Sequence, residues 1–235
     1  MAAASTNGKR ASTARRKAEP AAGPESAAAA GIITVSPPNY KVVQVEIIGT
    51  APLMIHRFSK KAEMKAIHEA GGRTNEGRKD KPPRDFDADF EAAKYRERKA
   101  GWEGFNAASV RAALISACRT IGIKMTHMKL AAHVLEDGRD EDGTPLVRIH
   151  GDSVCDIRPA RNSSGVIDLR ARPRYDEWHA TLRVRFDADM IAFRDLARLL
   201  MRAGGQVGIG EGRPDSRMSA GMGFGLFDVV GEMPK

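Results

Sequence analysis

Hydrophobic and polar positions alternate over residues 40–48, with Val43, Val45 and Ile47 on one side, which predicts a half-buried strand ended by Gly49 and Pro52. After a long polar stretch the period changes. Asn106 precedes Val110, Leu114, Ala117, Cys118 and Ile121 at helical spacing, and Gly122 stands where a helix would be capped. Turn signals at Asp137-Gly138 and Asp142-Gly143 introduce residues 146–149 and 154–157, read as a second strand broken at Gly151. The clearest strand is 178–186, where Trp178, Ala180, Leu182, Val184 and Phe186 alternate with His179, Thr181, Arg183 and Arg185. Ile191, Phe193, Leu196, Ala197, Leu200 and Ala203 then predict a helix, capped by Asp187 or Asp189 and closed by Gly204-Gly205. Residues 224–230 are rich in strand formers and stop at Gly231.

The order strand, helix, strand, strand, helix, strand predicts an α+β fold with a ferredoxin-like, RRM-like βαββαβ core. Both helices cover one face of an antiparallel sheet, and the face bearing His179, Thr181, Arg183 and Arg185 stays open, polar and basic. Residues 59–99 are polar, with Gly71-Gly72 and Pro82-Pro83 at their centre, too long for an ordinary connection. They define an insertion, 59–104, after the first strand of a domain spanning 37–235. Residues 1–36, dominated by Ala, Ser, Gly, Pro and basic side chains, read as a disordered basic arm.

Charge sharpens this picture. The 235 residues hold 38 Lys and Arg against 30 Asp and Glu, a net +8, and the arm supplies only +3 of it, so the folded body is basic in its own right. That balance favours a polyanionic partner. Cys118 and Cys155 sit in no metal-binding or disulfide spacing, which fits a reducing cytoplasm. No apolar run is long enough for a membrane span.

Eight glycines lie between residues 204 and 225. Glycine allows positive φ and close backbone approach, so such a loop can lay its N–H groups against phosphates and sugars, or simply turn the chain into an edge strand. It is no dinucleotide or P-loop fingerprint: the spacing is wrong, and the glycines follow a helix rather than a strand. The six histidines form no compact metal motif, although His127 with Lys124 and Lys129 lies where a backbone phosphate is within reach. Asp85, Asp87 and Asp89 read as a helix cap rather than a metal site, and no serine sits in a nucleophile elbow. We expect no enzyme activity and no cofactor. Trp102, Phe105 and Tyr175 are candidate base-stacking residues, a role competing with plain core packing. The strongest basic cluster is Arg158, Arg161, Arg170, Arg172 and Arg174, read as a flexible loop suited to phosphate, with Asp168 and Asp176 neutralising part of it.

The run Gly-Gly-Gln-Val-Gly-Ile-Gly-Glu-Gly-Arg-Pro at 204–214, followed by Gly-Met-Gly-Phe-Gly-Leu-Phe-Asp-Val at 221–229, resembles the C-terminal glycine-rich signature of the RAMP superfamily, and residues 106–117 are similar to the helix after its first strand. Members of that superfamily build the backbone of CRISPR effector complexes. The resemblance implies an RRM-like core polymerising along a guide RNA, with residues 59–99 as a thumb and with Arg111, Arg213 and the glycines at 208–212 facing nucleic acid. The expected nucleic-acid-binding residues are therefore Arg111, Lys124, Arg158, Arg161, Arg170, Arg172, Arg174, Arg183, Arg185, Gly208, Gly210, Gly212, Arg213 and Arg217. The expected partners are single-stranded RNA or DNA, further copies of the chain and other effector subunits. A phage-type single-stranded DNA-binding protein that uses no guide, and a structural phage protein, remain as alternatives.

Overall fold

The computed structural model describes residues 36–57, 84–161, 167–216 and 221–231, without the side chains of Ala160 and Arg161. The chain divides into Met1–Ser36 and Pro37–Lys235. The expected arm lies outside the described residues except for Ser36, as do residues 58–83 of the insertion and Arg217.

Pro37–Lys235 is mixed α+β with antiparallel sheets. The central sheet has the order β11-β1-β10-β5, built from β1 (Tyr40–Gly49), β5 (Ala132–Leu135), β10 (His179–Asp187) and β11 (Phe227–Val230). The period-2 pattern sets its register: Val45 faces Leu182 and Ile47 faces Ala180 across the β1–β10 pair, with all four side chains buried. Helices α2 (Ala108–Ala117) and α3 (Met125–Ala131) connect β1 to β5, and α4 (Phe193–Arg202) connects β10 to β11. Val110, Leu114, Leu196, Leu199 and Leu200 complete one core with the sheet. Each such side chain, fully buried, contributes about 1.5–3 kcal/mol.

Two further sheets flank this core. One has the order β3-β4-β7-β6, from β3 (Tyr95–Arg96), β4 (Glu103–Asn106), β6 (Gly138–Arg139) and β7 (Pro145–Arg148). The other pairs β2 (Leu53–Met54) with a long ribbon, β8 (Ser153–Arg161) against β9 (Ile167–Tyr175). Helix α1 (Phe86–Ala92) lies against the ribbon, and Asp85 caps it by accepting the amides of Asp87 and Ala88. The described half of the insertion is thus ordered structure.

Three expectations need correction. The second strand of the central sheet is Ala132–Leu135, not 146–157; Leu146 and Val147 belong to β7, and 154–157 to the ribbon. Asp187 and Asp189 do not cap α4, whose first turn has no side-chain cap; instead they hold Asn39 at the start of β1. Gly204-Gly205 does not end the helix, which widens into a π-helical turn, Ala203–Val207, and stops at Gly208 with φ 74°. Gly204 is needed for a different reason: a Cβ there would lie 2.0 Å from the Phe227 carbonyl oxygen.

The buried charges predict an acid response in two steps. Partial burial holds His56 below the usual value of 6.5, and slight desolvation with the nearby His179 and Arg148 does the same for the exposed His150, so below about pH 6.5 the unfolded chain takes up protons first and stability falls. Burial opposes the Asp156 carboxylate, but Arg158 and Arg174 outweigh it and depress its pKa. Burial likewise opposes Glu103, and hydrogen bonds from Tyr175, Lys94 and Ser153 outweigh it. Their contribution is complete above the ordinary carboxylate range and is lost as pH falls through the depressed values. Urea midpoints should drop between pH 7.5 and 5.5 and again below about pH 4, with His150→Gln shrinking the first drop. A midpoint that is flat from pH 7.5 to 5.5 would contradict the histidine assignment.

Candidate nucleic-acid interface

A groove of about 610 Å³ lies between α2, the glycine-rich loop and Ile55-His56. Its floor is one face of α2, where Ser109, Ala112, Ala113 and Ser116 recur at helical spacing and keep the surface low. Asn106 accepts the Ala108 amide at the open start of the helix (2.9 Å). Arg119, Lys129 and Arg213 also line the groove.

The groove's charges are partly balanced. Asp215 accepts from Ser116 and pairs with Arg119 at 2.5 Å. The Ser116 hydrogen bond, with Arg119, holds the Asp215 carboxyl below its ordinary range. Glu211 is drawn away by Arg172, 2.9 Å from it. Arg213 donates to the Gly210 carbonyl (2.9 Å), which leaves most of its guanidinium available, and Lys129 is exposed. Next to Glu211, His56 keeps a buried Nδ1 with no hydrogen-bond partner among the described residues. The net result is a trough of mixed polar and apolar lining with surplus positive charge.

The glycine loop forms the opposite wall, and its glycines answer to its own packing. Gly208, Gly210 and Gly212 have φ of 74°, 74° and 69°. A Cβ on Gly210 would lie 2.4 Å from the Met54 carbonyl oxygen. The amides of Gly208, Ile209 and Glu211 bond to Ala203, Gly225 and Met54. The loop is therefore a rigid wall knitted to β2, with only part of its backbone turned outward.

The other expected residues lie elsewhere. The arginine cluster forms a β-ribbon rather than a flexible loop. Arg158, Arg170, Arg172 and Arg174 share one of its faces by alternation. That face lies against the glycine loop: Arg158 stacks over Phe224 at 5.1 Å, and Arg172 reaches Glu211. Arg158 and Arg174 both pair with Asp156, at 2.6 and 2.5 Å; Arg174 also pairs with Asp176, and Arg170 lies 3.6 Å from Asp168. These four arginines share Asp156, Asp168, Asp176 and Glu211, with Asp168 also held by Arg84 at 2.6 Å, so most of the charge on this face is paired. Arg172 is 5% exposed, and its place as a phosphate contact is corrected to a buried tie between ribbon and loop. The Arg161 side chain and Arg217 lie outside the described residues.

Arg111 caps α3 instead, donating to the carbonyls of Lys129 (2.6 Å) and Ala132 (3.3 Å). Lys124 is exposed just before α3, and His127 bonds the Met190 carbonyl. On the open sheet face Arg185 lies over Tyr40, 4.8 Å from its ring centre, and Arg183 is tied to Glu136 and Asp137. Glu46 and Asp228 share that face, so it is mixed in charge rather than basic. Phe105 and Tyr175 are core residues, at 2% and 1% exposure, while Trp102 is half-buried.

Of the expected set, then, the groove gathers Gly210 and Arg213. It adds Lys129, named above beside His127, and Asn106, Ser109 and Ser116 of the 106–117 segment, together with His56 and Arg119, which no motif marked. The helical spacing of Ser109 and Ser116 was the available signal. Among the described residues no group of three His, Cys, Asp or Glu side chains is placed to hold a metal. No protein-family model matches the chain, and no curated protein matches its sequence.

Proposed function

We propose that this chain is a non-catalytic, cytoplasmic protein that binds single-stranded nucleic acid and oligomerises along it, as RAMP-superfamily backbone subunits do. The groove carries the reading: a trough with a small-residue floor, a glycine wall and Arg119, Lys129 and Arg213 at its side suits an extended, polyanionic backbone. A ferredoxin-like, RRM-like core is supported by the strand order β11-β1-β10-β5, with helices inserted between β1 and β5 and between β10 and β11. The phage-type single-stranded DNA binder uses the same groove without a guide, and a preference for DNA over RNA would select it.

The test is anisotropy of labelled single-stranded RNA and DNA 30-mers across a salt series. With three phosphate contacts the slope of log affinity against log salt should be about −2, at ~0.7 per contact. The Lys129→Ala, Arg213→Gln pair should bring it to about −0.7 and weaken every sequence alike. Larger particles on longer strands are expected from assembly. Absence of binding to either polymer at low salt would refute the proposal, and an unchanged slope in the folded double variant would move the site away from the groove.

A further inference from the structure

On the sheet face opposite the helices a second cavity, about 340 Å³, opens between β1, β10 and the β4–β7 sheet. Gln44, Thr181 and Arg183 line it from the central sheet, and Trp102, Arg148 and His150 from the other side. None belongs to the groove described above.

Two observations indicate that this cavity is built for a ligand. The indole of Trp102 rests on bare backbone: a Cβ on Gly138 would lie 2.8 Å from its Cζ2, and one on Gly104 3.0 Å from its Cζ3. Glycine on β4 and on β6, the strands on either side of β7, thus lets a large ring lie in a fixed place at the rim, where it is partly exposed. The polar groups around it are also unspent. Among the described residues the Arg148 guanidinium, the Gln44 amide and the Thr181 hydroxyl have no hydrogen-bonding partner, although all three line one cavity.

The charge narrows the ligand. Asp137, the one carboxylate in the lining, lies 3.3 Å from the Arg183 guanidinium and accepts the main-chain amide of Arg148 at 3.0 Å, so the Arg148 guanidinium has no carboxylate of its own there. His150 stacks on His179 with ring centres 4.7 Å apart. Burial, His179 and Arg148 hold it below its usual range, so it is neutral near pH 7. One positive charge is left over. A phosphodiester carries one negative charge, whereas a terminal phosphate carries roughly 1.5 to 2.

We propose that this cavity takes one nucleotide unit of a single strand, its base against Trp102 and its phosphodiester against Arg148, with Gln44 and Thr181 bonding the base or sugar. The proposal rests on the reading of the chain as a single-strand binder and adds a base-contacting site to the groove. Stacking on an aromatic is worth about 1–3 kcal/mol, or roughly a 5- to 150-fold change in affinity.

The experiment uses the full chain with single-stranded 12-mers of deoxythymidine and of uridine, and separately with thymidine and uridine monophosphate. Because Trp178 is 3% exposed, Trp102 is the tryptophan a ligand can reach. The strand should quench its fluorescence saturably, and Trp102→Leu should abolish the quenching and weaken anisotropy-measured affinity at least 5-fold. Arg148→Ala, at an exposed side chain with no partner to lose, should weaken it about 3- to 10-fold and keeps the test decisive if Trp102→Leu misfolds. A strand that binds by anisotropy without quenching, and binds both variants like the wild type, overturns this site while leaving the groove intact. Absence of all strand binding overturns the single-strand reading itself. Quenching by the monophosphates as strong as by the strand overturns the assignment to a strand and makes the cavity a free-nucleotide site.

Discussion

Gly225→Ala is expected to cost more than about 4 kcal/mol, beyond the usual range for a single substitution. Gly225 has φ 69°, and a Cβ on it would lie 1.8 Å from the Ile209 carbonyl oxygen and 2.8 Å from the Ile209 carbonyl carbon. Neither partner can yield, because Ile209 donates its own amide to the Gly225 carbonyl (2.9 Å) and is buried at 1% exposure. Gly223→Ala is the control, since it has φ 77° with nothing within 4 Å of its Cβ position. It should cost only the left-handed backbone penalty of ~1–2 kcal/mol. Urea denaturation of the two variants separates a collision from a conformational cost. Equal losses would mean that the two halves of the loop do not touch as described.

The second large effect is an asymmetry across the Arg172–Glu211 pair. Glu211→Gln leaves a guanidinium in a nearly closed site, where its Nε already lacks a partner and burial lowers its pKa. Stranding a buried charge costs about 3–5 kcal/mol, and because the Glu211 side chain is 36% exposed we expect about 2–3 kcal/mol. Arg172→Met removes the charge and keeps the volume beside Met54, so it should stay within about 1 kcal/mol of the parent. Adding Arg172→Met to Glu211→Gln should then restore most of the loss. A double variant no better than Glu211→Gln would show that the pair is not where the energy lies.

Strand and helix existence was largely legible, while pairing was not. Alternation in residues 40–48 and 178–186 located β1 and β10, because each buries one face and exposes the other. β5 escaped because Ala132–Leu135 has four residues and follows α3 with no turn signal; the backbone switches from helix to strand at Ala132 itself. Residues 146–149 and 154–157 have the stronger local pattern, but which strand a segment joins is decided by contacts distant in sequence. Beyond residue 157 the ribbon reads as a loop, because Asn162-Ser163-Ser164-Gly165 break the segment and its arginines suit a flexible phosphate-binding loop. Those arginines meet the expected Asp176 and the nearby Asp156, but also Glu211, whose position no local pattern encodes. The groove was half visible. Glycines marked one wall, but the other is a helix face of small residues, which sequence alone cannot distinguish from ordinary packing.

The arrangement of the central sheet also sets a timetable for synthesis. β1 lies between β10 and β11, so both of its partners are made long after it: about 130 residues separate the end of β1 from the start of β10. At about 5–20 residues per second the wait is roughly 7–26 s. The ribbon and the β4–β7 sheet, closed by nearer pairings, can form on the ribosome in that interval, while Val45 and Ile47 stay uncovered. A nascent chain stalled before residue 179 therefore presents sticky, unpaired β1 to the cell's chaperones, and the central sheet assembles only when its last strands emerge.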